Sequence, residues 1–226
     1  IIALLEEKQP AAILTATGRN SALAGGLYPF PLIEDGDFDL PSIYMTEEEG
    51  HRLLAKAGER VQVNSSSTRI PGKGTNLVAR KGRNPARRIV ITAHIDAKKG
   101  TPGAIDNATG VAVLLMLADL LKNYDGENRI EIVALNGEDY FAVPGQMTYI
   151  RQNQDRFGEI LLNINIDGAG YFESPSAYSF YNLPERIEQT ALEAFRLFPG
   201  IVEGSQWPQG DHSIFIQFGC PAIALT

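Results

Sequence analysis

Among the histidines and carboxylates of this 226-residue chain, His94, Asp96, Asp106, Glu138, Asp139 and Asp167 are spaced as a set that could hold cations. Each stands where an apolar run ends or a helix begins. Neutral imidazole and carboxylate are common donors to zinc. Two divalent cations about 3.5–4 Å apart can both activate a water and polarise a carbonyl, as peptide-bond hydrolysis near neutral pH requires. Asp106 is the candidate for the carboxylate shared by two ions, with His94 and Asp167 completing one ion and Asp139 standing on the other. Asp96, which follows His94 by two positions, is better placed to accept from the His94 ring and fix its tautomer than to bind metal. Glu138, next to a ligand but itself free, is the candidate general base. The set reads as a two-metal hydrolase.

Each piece also has a plainer reading. A histidine at a strand end is usually a satisfied polar group, Asp106-Asn107 could cap a helix, and Gly137-Glu138-Asp139 and Asp167-Gly168 are good turn sequences. Their order along the chain, each at the end of a separate apolar segment or at a helix start, favours the chemical reading. Gly72-Lys73-Gly74-Thr75 lacks the spacing of a phosphate loop, and no Gly-x-Ser-x-Gly elbow is present for a serine nucleophile. Trp207 reads as a packing or rim residue, and the aromatic residues between 171 and 181 as core.

The elements that must position these groups follow from hydrophobic periodicity. A strand over residues 88–94 delivers His94 and Asp96 to its end, and a Gly/Pro loop leads to Asp106-Asn107 at the mouth of a helix over 107–122. Val111, Leu114, Leu115, Ala118 and Leu121 mark that helix's expected buried face. Further strands are expected over 76–80, 129–135, 160–166, 177–181 and 222–225, and further helices over 143–153, 184–197 and briefly after Asp211. This alternation predicts an α/β fold, a mixed but mainly parallel sheet with helices on both faces. Ligands of such folds bind outside the carboxyl ends of the strands, where the candidate residues cluster.

The N-terminal part is organised differently. A helix end over residues 1–8, a strand over 11–15, a long Gly/Pro-rich loop over 18–39 and a strand over 41–45 lead to Thr46 and Glu49, which read as a capping box opening a helix to about Ala57. Val61 and Val63 suggest another strand, and polar residues 64–75 a linker. The expected division is into residues 1–73, a small α+β segment, and residues 74–226, which carry the site.

A formal charge of −7 and a pI near 5.0 argue against nucleic acid or an anionic membrane surface as the main partner. No apolar run approaches the roughly 18–20 residues of a membrane span. The single cysteine, Cys220, excludes an internal disulfide framework and leaves the compartment undecided. The chain starts at Ile1 with no leader pattern, so any signal peptide is expected outside these residues.

Residues 93–97 (AHIDA), 102–112 (PGAIDNATGVA), 136–140 (NGEDY), 165–170 (NIDGAG), 209–215 (QGDHSIF) and 219–224 (GCPAIA) together resemble the M28 zinc exopeptidases, which include aminopeptidases and glutamate carboxypeptidases. The resemblance implies two zinc ions and a peptide substrate, with aminopeptidase activity expected. His94, Asp106 and Asp167 would be ligands with Asp106 bridging, Asp139 the ligand of the second zinc and Glu138 the general base. It also implies a cis Asp106-Asn107 peptide and places Asp211 and His212 beside the substrate. Residues 1–73 are similar to the later part of a protease-associated domain. Two departures stand out. The family usually has Glu where this chain has Asp139, and its last ligand is a histidine that would lie beyond Thr226, so the catalytic part is expected to continue past this chain. The alternatives are a single-zinc acyltransferase like glutaminyl cyclase, and a non-catalytic binding protein that keeps the fold.

Overall fold

The computed structural model describes residues 7–16, 41–64, 71–98, 100–139, 143–207 and 209–226. The loop expected over 18–39, most of the helix end over 1–8 and the middle of the linker lie outside these residues. The chain divides into two compact units between Gly72 and Lys73.

In the first unit β1 (Ile13–Ala16) runs parallel to β2 (Ser42–Met45), followed by α1 (Glu47–Leu54). Thr46 caps α1, its Oγ1 accepting from the Glu49 amide at 3.3 Å. The reciprocal half of the expected capping box is not made, because the Glu49 carboxylate accepts instead from Arg52 at 2.5 Å, one turn along. Regular helix ends at Leu54, earlier than expected, and the chain continues in turns. The strand expected at Val61 and Val63 does not form: Val61 is 55% exposed, and these residues pair with no strand among the described residues.

The second unit is built on β3 (Leu77–Lys81), β4 (Asn84–His94), β5 (Asn128–Leu135), β6 (Ile160–Ile166), β7 (Ser176–Tyr181), β8 (Ile201–Glu203) and β9 (Ala222–Leu225). Among the described residues they form a seven-stranded sheet in the order β3-β5-β4-β6-β9-β7-β8. Only the β3–β5 and β7–β9 pairings are antiparallel, so the sheet is mixed and mainly parallel. The short β8, unforeseen in the sequence, pairs with β7 at this end of the sheet.

Strand alternation sorts the central residues into two cores. Val90 of β4 with Val133 and Leu135 of β5 packs against Tyr149 of α3 (Pro144–Asn153) and Ile214 and Phe215 of α5 (His212–Gln217). The intervening residues, Ile91, Ala93 and Ala134, pack with Leu114 of α2 (Gly110–Leu120). Helices thus cover both faces of the sheet. The remaining helix, α4 (Glu185–Phe195), lays Phe195 against Tyr178 with ring centroids 4.5 Å apart.

The buried stripe of α2 departs from the expected one at Leu115 and takes in Gly110, Val113 and Leu117, while Leu114 is buried and Val111, Ala118 and Leu121 are half-buried as expected. Gly110, Val113, Leu114 and Leu117 face the sheet, while Leu115 is 68% exposed. At Gly110 a Cβ would lie 2.6 Å from the Ile166 carbonyl oxygen, so only glycine lets the start of the helix approach β6 this closely. Phe172, expected in the core, is 88% exposed, whereas Tyr178 and Tyr181 are buried. Trp207 packs beside Tyr181, whose hydroxyl donates to the Trp207 carbonyl at 2.8 Å.

Candidate metal centre

The parallel run β5-β4-β6 brings three chain segments to one sheet edge. His94 is the last residue of β4 and pairs in register with Leu135 of β5, after which come Asn136 to Asp139. Thr92 pairs with Asn165 of β6, and Asp167 follows directly on Ile166. Asp106 arrives from the other direction, in the π-type turn Ala104–Thr109 that precedes α2.

Asn107 fixes that turn. Its side chain is buried, donates to the Ile166 carbonyl at 2.9 Å, and accepts from the amides of Gly110 at 3.0 Å and Gly168 at 3.2 Å. It caps the first amide of α2, so the plainer capping reading also holds, and it ties Asp106 to the exit of β6 beside Asp167. The Asp106-Asn107 peptide is cis, as the family resemblance implies.

At the centre stands His94, 1% exposed. Its Nδ1 lies 2.9 Å from the Asp96 carbonyl oxygen, which makes Nδ1 the donor and aims Nε2 at the carboxylates. Nε2 is 3.0 Å from Asp106 Oδ1, 3.4 Å from Asp167 Oδ1 and 4.0 Å from Glu138 Oε2. It has no hydrogen bond in good geometry among the described residues. Burial works against a charge on this ring, but Asp167, Glu138 and Asp211 outweigh it and push His94 up to about 10. A buried ring nitrogen facing carboxyl oxygens at 3.0 and 3.4 Å with no hydrogen bond in good geometry demands a proton or a cation between them.

A cation fits that demand. Tetrahedral zinc with bonds of about 2.0–2.2 Å sets its donors roughly 3.3–3.5 Å apart, close to the separations found here. His94, Asp106 and Asp139 each offer an atom within 4.8 Å of the others. Asp139 Oδ2 is also buried without a hydrogen-bond partner among the described residues.

The Asp96 carboxylate is not the acceptor for His94, since its Oδ1 lies 3.9 Å from Nδ1. It accepts instead from the amides of Gly137 at 2.6 Å, Glu138 at 3.1 Å and Asp139 at 3.0 Å. The tautomer is set by the Asp96 backbone, and the expected role of its side chain is corrected accordingly. Glu138 is mostly buried; burial first, then the charge of Asp211, pushes its carboxyl up to about 8. Burial and Asp106 also raise Asp139.

Asp211 and His212 form the floor. Asp211 is buried and accepts from Gln146 at 2.7 Å through Oδ1, and burial raises its carboxyl to about 7. His212 is buried, its Nε2 3.0 Å from the Trp207 carbonyl oxygen, and burial lowers its pKa. Its Nδ1 borders Gly210, where a Cβ would meet that nitrogen at 3.2 Å and Asp167 Oδ2 at 3.4 Å.

Several supporting residues escaped the sequence reading. Asn76 accepts from the Asn136 amide at 3.0 Å and donates to the Gly145 carbonyl at 2.8 Å, bracing the loop that carries Glu138. Thr92, Asn163 and Asn165 are buried polar residues in otherwise apolar strands, and that anomaly was the signal that could have found them. Gln146 carried no such mark.

The family model described as Peptidase family M28 matches residues 76–226. Aminopeptidase YwaD of Bacillus subtilis is 20% identical over 151 residues, 66% of this chain and 33% of that protein. The solved aminopeptidase from Aneurinibacillus sp. strain AM-1 superposes with a TM-score of 0.70 at 21% identity, covering 97% of this chain and 55% of that one. An Acidobacteriales bacterium glutaminyl cyclase gives a TM-score of 0.56 at 17% identity, over 66% of this chain and 57% of its own. The chain thus spans a third of the curated relative and little more than half of these solved structures.

Proposed function

This chain belongs to peptidase family M28, and on that premise we propose that it is a metal-dependent exopeptidase: a di-zinc aminopeptidase that releases N-terminal residues from peptides. The observation that carries the reading is His94 Nε2, buried, without a hydrogen bond in good geometry and facing Asp106 and Asp167. His94 and Asp167 would hold one zinc, Asp139 the other, and Asp106 both. Zinc bound there supplies a polarised scissile carbonyl and a water of lowered pKa.

The chain's own residues do the rest. The Asp96 carbonyl holds the His94 ring so that Nε2, not Nδ1, faces the site. Asn107 keeps Asp106 beside Asp167. Glu138 takes the proton of the attacking water and returns it to the leaving amine. Glu138 is mostly buried and its Oε2 lies 4.0 Å from His94 Nε2, which places it beside the proposed metal where a base must stand. Residues 1–73, read as the later part of a protease-associated domain, contribute no ligand in this scheme.

A single-zinc acyl-transfer site of the glutaminyl-cyclase type is the second reading, favoured by the compact group His94, Asp106 and Asp139. Zinc stoichiometry separates the two.

Turnover of aminoacyl-anilides by the full-length protein tests the first reading. Glu138→Gln should lose about 10²-fold or more in kcat while keeping its zinc, because proton transfer is removed and no ligand is. Unchanged turnover, or loss of metal in that variant, would overturn the assignment.

A further inference from the structure

Asp96 touches both halves of the site, and its two ends do different things. Its carbonyl oxygen orients the His94 ring, 2.9 Å from Nδ1. Its carboxylate, 8% exposed, collects three consecutive backbone N–H groups, those of Gly137, Glu138 and Asp139, at 2.6, 3.1 and 3.0 Å. Successive amides converging on one anion form a nest. Gly137 makes this one possible, with φ +94, where a side chain would be strained and its Cβ would come within 2.6 Å of Pro144. The clasp is reciprocal, since the Lys98 amide donates to the Asp139 carboxylate. Asn76 pins the same loop from its other side through the Asn136 amide.

We propose that Asp96 is the positioning residue of the loop that bears the general base: its carboxylate sets where Glu138 and Asp139 stand relative to His94. This rests on the reading of Glu138 as the base. Three bonds to an ionised acceptor are each stronger than neutral ones, and they act on adjacent residues, so the loop has one favoured arrangement. A carboxylate serving only the His94 tautomer would have to reach Nδ1, and at 3.9 Å it does not.

Hydrogen exchange of the metal-free full-length protein tests the clasp apart from catalysis. In the wild type the amides of 137–139 should be protected. Asp96→Asn keeps one oxygen, which the Gly137 and Glu138 amides share, and turns an NH2 donor towards the Asp139 amide. That amide alone should exchange roughly tenfold or more faster. Asp96→Ala should release all three. With zinc restored, Asp96→Asn should lower kcat about tenfold or more with KM little changed, since the loss falls on placement of the base. The Asp139 amide exchanging at its wild-type rate in Asp96→Asn overturns the proposal. So does uniform acceleration throughout the second unit, which would make Asp96 a general structural support. If Asp96→Ala does not fold, Asp96→Asn decides. Failure of the base assignment shows separately, as unchanged turnover in Glu138→Gln with the exchange pattern intact.

Discussion

Gln146 Nε2 donates to Asp211 Oδ1 at 2.7 Å, and both side chains are buried, while Asp211 Oδ2 is buried with no partner among the described residues. One oxygen is satisfied and the other is not, so ionising Asp211 is costly. Burial raises its carboxyl to about 7, against the opposing bond from Gln146. Glu138, raised by burial and by Asp211 itself, stands at about 8.

The pH dependence of the metal-free protein follows. Both carboxyls have folded-state pKa values above their unfolded ones, so the folded state binds protons more tightly. The stability this brings is fully present below the unfolded values near pH 4 and is lost as pH rises through about 7 for Asp211 and 8 for Glu138. Thermal melts of metal-free protein should therefore give a falling Tm between pH 5 and 8. Asp211→Asn should flatten that fall, and a Tm rising over the same interval would contradict the account.

Arg88 and Glu131 meet across adjacent strands, β4 and β5, in a bidentate pair with Nε at 3.0 Å and Nη2 at 3.1 Å from the two carboxylate oxygens. Arg88 also donates to Tyr149 Oη at 3.1 Å and Asn153 Oδ1 at 2.8 Å, joining the sheet to α3. Both charges lie almost wholly out of solvent. Glu131→Ala would leave the buried guanidinium with Glu159, 3.7 Å from Nη1 and partly exposed, as its remaining counter-charge, and denaturant melts should show a loss of about 3 kcal/mol. A loss below about 1 kcal/mol would place the pair among surface-like interactions.

Gly110→Ala tests how α2 positions Asp106. The added Cβ would meet Asn107 Oδ1 at 2.4 Å and the Ile166 carbonyl oxygen at 2.6 Å, so the turn or the helix must move. Overpacking of this kind costs about 1–3 kcal/mol. Weaker zinc binding should accompany it, since Asn107 links Asp106 to the segment carrying Asp167. Unchanged stability and unchanged zinc affinity would show that the contact relaxes freely.

What could be read in advance was where the candidate residues fall, because apolar runs mark strand ends and helix starts, and each candidate sat beside one. Parallel topology then brought His94 and Asp167 together without further information. The exposure of Leu115 and the burial of Gly110 at the α2–β6 contact were not legible, since periodicity does not mark where a helix start approaches a strand too closely for a side chain. The work of Asp96 was hidden for a similar reason. Its partners are backbone amides, which every residue offers, and which amides it collects depends on how β4 and β5 end side by side. Leu115 and Phe172, apolar yet exposed, show the opposite limit: hydrophobic character alone does not imply burial.

The claim on which the rest depends is that Asp106 is shared by two ions. Zinc titration of metal-free full-length protein by calorimetry tests it, with Asp106→Asn, Asp139→Asn and Asp167→Asn compared. Two zinc ions should bind per wild-type chain; Asp139→Asn and Asp167→Asn should each weaken a different one, and Asp106→Asn should weaken both. A wild-type chain that takes up one zinc, or an Asp106→Asn variant that keeps one site at full affinity, would contradict the shared-carboxylate site.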